Sequence, residues 1–214
     1  EAEPGIGLVC HDQEFIWEGV GRRFSKCGPP EEFRGDLHEY LLLSGNCIST
    51  SATVASRKDL VQVGSFSEER QFVTTEDYEL WLRLSKVCEF RFIHEVLGIQ
   101  RYHATSASAN VELNLNNTLA ILDCYFPQDS AEARPFPKSV VKRRYAKAYF
   151  FAARQFQRQG KLGRAMRYYT KTLKTYAFHK NAYAGLALLG ADLVFGPSRR
   201  RKITSALFGH SWRW

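Results

Sequence analysis

The chain has 214 residues, 44% hydrophobic and 14% aromatic, enough apolar mass for one good-sized core or two small ones, which excludes disorder over most of its length. Its formal net charge of +8 hides a split: residues 1–133 carry 11 basic and 21 acidic side chains, residues 134–214 carry 19 basic and 1 acidic. A block so short of acids asks for an anionic partner, either a lipid surface or a nucleic acid.

Cys10, Cys27, Cys47, Cys88 and Cys124 are odd in number and widely spread, with no C-x-x-C pair. This spacing indicates neither a disulfide framework nor a cysteine-rich zinc site, and a reducing cytosol is the simpler setting. The opening EAEPGIGLVC lacks the basic and apolar regions of a signal peptide. The longest apolar run, residues 182–196, is interrupted by Asp192 and falls short of the roughly 20 residues that a bilayer span needs.

In chain order, GIGLVC at residues 5–10 is a short apolar run that predicts a strand. Residues 11–38 show little periodicity, and Gly28-Pro29-Pro30 marks a loop. YLLLSGNCISTSATVAS then predicts a helix end or strand, a turn at Gly45-Asn46, and a strand. RKDLVQVGSF predicts a short helix stopped at Gly64.

TTEDYELWLRL at residues 74–84 predicts a helix over 75–86 with Leu80, Trp81, Leu84, Val87 and Cys88 on one apolar face. Thr74 and Asp77 have capping-box spacing, in which hydroxyl and carboxylate satisfy two backbone N–H groups of the first turn. The same carboxylates can instead be presented to a substrate from a rigid helix end, and spacing leaves both readings open. CEFRFIHEVLGIQRYH at residues 88–103 alternates and predicts two strand segments, and Val111, Leu115, Leu119 and Leu122 predict a helix.

Pro135 and Pro137 lie where the charge changes sign, in a linker at residues 129–138. Beyond it the pattern is helical throughout. SVVKRRYAKAYFFAARQFQRQ and KLGRAMRYYTKTLKTYAF flank Gly160 as an antiparallel pair, and a third helix covers residues 181–195. Tyr149, Ala152, Ala153, Phe156, Gly160, Ala165, Tyr169 and Leu173 resemble one tetratricopeptide repeat. The repeat's closing proline is absent and one unit is present, so a helical hairpin is expected rather than a peptide-binding array.

An N-x-I-x-T-S stretch (Asn46 to Ser51), a helix ending at G-x-F (Gly64 to Phe66), an E-D-x-x-L-W-x-R helix (Glu76 to Arg83, with Leu80 and Trp81) and an R-x-H-x-x-S-x-S segment (Arg101 to Ser108) follow in that order. Together they resemble the C-terminal half of the catalytic domain of family 2 glycosyltransferases, which have the GT-A fold, and the likeness extends over roughly residues 1–125. It implies an inverting transfer from a nucleotide-sugar donor to the hydroxyl of a saccharide or lipid-linked acceptor, in cell-surface polysaccharide or glycolipid synthesis. Asp77 matches the base that takes the acceptor proton, with Glu76 supporting it. His103 matches a histidine that ligates the divalent metal (Mg or Mn) or touches the diphosphate; its other reading is a strand-end histidine bonded to backbone. Arg101, on the same strand face, is placed to meet phosphate charge. Trp81 reads either as core or as a ring stacked on sugar.

The family's Asp-x-Asp metal motif is absent, and Asp12-Gln13-Glu14 is its nearest approximation. The expectation is therefore an α/β chain, a partial GT-A fold lacking the N-terminal nucleotide-binding half, over residues 1–128. An all-α basic helical tail over 139–214 would hold it at the inner, cytoplasmic face of a membrane, with the main metal carboxylates outside this chain. The alternative is a non-catalytic module whose tail docks an anionic membrane, an acidic protein or a nucleic acid, although no nucleic-acid motif is recognisable.

Overall fold

Leu8 and Cys10 point to one side of a strand and are fully buried, and around this apolar anchor β1 (Ile6–Trp17) forms the spine of a mixed sheet. The computed structural model describes residues 5–17, 21–102, 110–126 and 136–208. It divides into two compact units, Glu1–Arg134 and Pro135–Trp214.

In the first unit β1 pairs in parallel with β4 (Glu89–Tyr102) along its whole length, from Ile6 opposite Glu89 to Trp17 opposite Tyr102. The other edge of β1 takes two antiparallel partners in succession, β3 (Thr53–Ala55) beside residues 8–10 and β2 (Gly21–Ser25) beside residues 13–17. Two sequence expectations change here. The stretch after Cys10 is strand rather than loop, because Asp12, Gln13 and Glu14 are buried polar residues that hide the strand signal. Residues 89–102 are a single strand with an irregular register rather than two segments.

Most helices stand close to where periodicity put them; residues 40–44, left in sequence as helix end or strand, are helix, and that helix begins at Leu37, inside the stretch that shows little periodicity. Helix α1 (Leu37–Ser44) is capped by Asp36, whose carboxylate accepts from the Glu39 amide at 2.8 Å, and ends at Gly45 with φ 91°. Helix α2 (Arg57–Gln62) starts at the Ser56 cap and is turned out by Gly64 at φ 87°. Helix α3 (Glu76–Leu84) buries Leu80, Trp81, Leu82 and Leu84. Val87 lies beyond its end and is exposed, so the apolar face is shorter than the spacing predicts. The Tyr78 hydroxyl donates to the Leu41 carbonyl at 2.9 Å and ties α3 to α1. Helix α4 (Val111–Tyr125) begins at Asn110, whose side chain accepts from the Leu113 amide at 3.1 Å.

The described part of the second unit is all helix: α5 (Lys138–Arg158), α6 (Leu162–Thr175) and α7 (Lys180–Phe208), the last longer than the sequence predicts. Gly160, at φ 72°, makes the turn between α5 and α6. The hairpin core is Ala152, Ala153 and Phe156 against Ala165 and Tyr169, all buried. Small residues let the two backbones approach, and each large side chain removed from water contributes roughly 1.5–3 kcal/mol. Among the described residues, no helix is long and apolar enough to cross a membrane.

Candidate functional site

The start of α3 shows which groups hold Asp77. Thr75, not Thr74, is the N-cap, and it makes no side-chain capping bond. Thr74 stands at φ 75°, where a capping residue with extended backbone cannot be, and its hydroxyl donates to Asn114 Oδ1 at 2.5 Å. The capping box is therefore absent. Asp77 instead turns its Oδ2 across the fold, where it accepts from Thr50 Oγ1 at 3.0 Å and Asn46 Nδ2 at 3.3 Å, while Oδ1 accepts from the Tyr78 amide at 2.6 Å. Asn46 and Thr50 belong to the N-x-I-x-T-S stretch. Its Gly45 exit and short 3-10 turn (Thr50–Ala52) hold both donors toward α3.

The position is half buried. Burial raises the Asp77 pKa above the ordinary carboxylate value, opposed by the Thr50 and Tyr78 hydrogen bonds and reinforced by the charge of Glu76. Beside it, Glu76 Oε2 is buried without a hydrogen-bond partner. Gln13 Oε1 is a second orphaned oxygen; the same side chain donates through Nε2 to Ser51 Oγ, next to Thr50, at 3.2 Å. A buried acceptor left empty costs about 1–3 kcal/mol; Glu76 is next to Asp77 in the chain, and Gln13 reaches the neighbour of Thr50 through its bond to Ser51.

The other predicted site residues fare differently. Trp81 is 2% exposed, with Phe66 packed edge-on at 6.5 Å between ring centroids. A ring enclosed in this way has no open face for a sugar, so Trp81 is core. Arg101 is exposed on β4, opposite Ile16 of β1. His103 lies outside the described residues.

A cluster that spacing did not announce lies at the middle of β1. The ligand atoms of Asp12, Cys27 and His94 all fall within 4.8 Å of one another, a group of three able to hold a metal ion. Cys10 adjoins them: its hydrogen bond with Cys27 draws its thiol down to about 6 and pushes the Cys27 thiol up, so the pair carries one negative charge readily and a second with difficulty. The resemblance implies a magnesium or manganese ion at a diphosphate. A thiol and an imidazole are poor ligands for such hard cations, so this cluster does not fit that ion and no step of a transfer is routed through it. The chain matches none of the protein-family models, and no curated protein or solved structure is detectably similar to it.

Proposed function

We propose that this chain supplies the general base of an inverting sugar transfer, from a nucleoside-diphosphate donor to a hydroxyl of a saccharide or lipid-linked acceptor. The observation that carries this reading is the Asp77 carboxylate: free of any capping-box duty, held by Asn46 and Thr50, and bordered by the empty Glu76 oxygen. In the reaction the acceptor O–H gives its proton to Asp77 while its oxygen bonds to the anomeric carbon. The bond from that carbon to the diphosphate breaks on the opposite face, and its electron pair leaves with the phosphate. Burial makes Asp77 a stronger base than a surface aspartate, and the two side-chain donors keep it aimed. Glu76 accepts from a second acceptor hydroxyl and so orients the sugar.

The second unit supports a location for that chemistry. Asp192, the one acid in residues 134–214, is 4% exposed and accepts from Gln157 Nε2 at 2.7 Å. The unit's exposed charges are therefore positive, which suits the anionic headgroups of an inner membrane face, where lipid-linked acceptors are held. The test of the catalytic reading is a panel of nucleoside-diphosphate sugars and saccharide acceptors, with released nucleoside diphosphate as the readout. Asp77→Asn is expected to lower turnover by about 10²–10⁴-fold, the range for removal of a positioned base. Transfer that persists at the native rate in this variant would remove Asp77 from the mechanism.

A further inference from the structure

Three separate features of the chain converge on Asp12. The first is the strand register: β1 and β4 run in step from Leu8 opposite Phe90 to His11 opposite Ile93, and then Asp12 faces Val96, so His94 and Glu95 are extra residues on β4. A bulge of this kind re-aims side chains, and here it brings His94 Nδ1 to 3.5 Å from Asp12 Oδ1. The second is the turn after β2. Gly28 stands at φ 74° under the Phe92 ring, where an added Cβ would meet ring carbons at 2.4 Å. This pinned turn sets Cys27 so that its own amide donates to Asp12 Oδ1 at 2.7 Å. The third is burial: Asp12 and Cys27 are each 5% exposed, whereas the His94 side chain is 27% accessible.

The separation of His94 from Asp12 suits a shared metal better than a hydrogen bond. A separation of 3.5 Å between His94 and Asp12 is too long for a good N–H···O bond. It is close to the edge of a tetrahedron whose ligand bonds are about 2.0–2.3 Å, which is about 3.3–3.8 Å. A carboxylate, a thiol and an imidazole together match the preference of zinc, and the imidazole keeps an open side through which an ion can enter.

We propose that Asp12, Cys27 and His94 bind a zinc ion, which fastens the β1–β4 bulge to the Cys27 turn. The site is independent of the sugar-transfer reading: loss of zinc binding leaves the assignment of Asp77 untouched, and an inert Asp77 leaves this site standing.

The test uses the whole chain, reduced and stripped with a chelator, then titrated with Zn²⁺, and with Co²⁺ as a spectroscopic probe. One equivalent of zinc should bind, and Co²⁺ should give a near-ultraviolet sulfur-to-metal charge-transfer band that disappears in Cys27→Ser. His94→Ala, at a partly exposed position where the fold tolerates truncation, should weaken zinc binding at least tenfold. Zinc should raise the thermal midpoint of the native chain and leave that of Cys27→Ser unmoved. Absence of one-equivalent binding, undiminished affinity in His94→Ala, or displacement of zinc by equimolar Mg²⁺ would each overturn the proposal.

Discussion

The Thr50 hydroxyl donates to Asp77 Oδ2 at 3.0 Å and joins two points 27 residues apart in the chain. That bond offsets only part of what burial does, for the carboxylate's pKa still lies above its ordinary value. A group with a raised folded pKa binds more protons folded than unfolded, so stability falls as pH rises from the ordinary carboxylate range, near 3.9, through the raised value. Asp77→Asn removes the charge and keeps the shape. It should therefore unfold at a higher urea concentration than the native chain at neutral pH, with the difference narrowing on acidification. A variant less stable at neutral pH would mean that Asn46 and Thr50 fully compensate the buried charge.

Arg83 holds the neighbourhood from the other end of α3. Its Nε and Nη2 donate to the two oxygens of Glu79 at 2.7 and 2.6 Å, Nη1 donates to the Val63 carbonyl, and Nη2 reaches the Ser65 carbonyl at 2.7 Å. The turn it clasps contains Ser65 at φ 58°, a conformation a serine holds only when fixed from outside. Arg83→Met leaves a mostly buried Glu79 carboxylate unpaired and should cost about 3 kcal/mol in urea unfolding. Adding Glu79→Leu should restore more than half of that loss, because the unpaired charge is then gone.

Thr50 and Asp77 also mark how far the sequence could be read. Helices α2 to α6 were legible because apolar spacing and breakers such as Gly64 and Gly160 are local signals, whereas the run before Gly45 left helix or strand open for α1. The second half of β1 was not, since its pairing with β4 is long-range and buries Asp12, Gln13 and Glu14, which in sequence look like a loop. Asp77 was nameable from its motif, yet the absence of the capping box needed the backbone of Thr74 and the position of Thr50, and the burial of Trp81 needed the packing of Phe66. The Asp12, Cys27 and His94 cluster had no signal in spacing, because a bulge and a glycine turn bring together residues far apart in the chain. The nearest sequence hint was Asp12 itself, noticed as part of an imperfect Asp-x-Asp.

Two glycines of α7 should respond oppositely to the same substitution. A Cβ on Gly185 would lie 2.3 Å from a ring carbon of Tyr169, whereas Gly190 has nothing within 4 Å. Tyr169 cannot yield cheaply: its hydroxyl donates to Gln157 Oε1 at 2.7 Å, and Gln157 in turn donates to the buried Asp192. Gly185→Ala should cost about 1–3 kcal/mol through overpacking. Gly190→Ala should be neutral or stabilise by up to about 1 kcal/mol through helix propensity. Loss of helical circular dichroism in urea reads both.

The burial of Asp192 gives the anionic-surface proposal its own prediction. Arg167, Lys171 and Lys174 recur at helical spacing on α6 and are exposed, so they share a face with no exposed acid of residues 134–214 to neutralise it. Vesicles containing phosphatidylserine should therefore retain the whole chain at low salt and release it near 1 M salt, where the screening length falls to about 3 Å. A basic side chain at a lipid surface is worth about 1 kcal/mol, so reversing all three to Glu should weaken retention more than a hundredfold. Apolar side chains such as Phe178 and Tyr183 are exposed as well, and insertion through them would be insensitive to salt. Equal retention on neutral and anionic vesicles would thus assign the interaction to those rings and remove the charge from the explanation. Retention on neither, with capture by RNA at the same salt, would turn the positive surface toward nucleic acid.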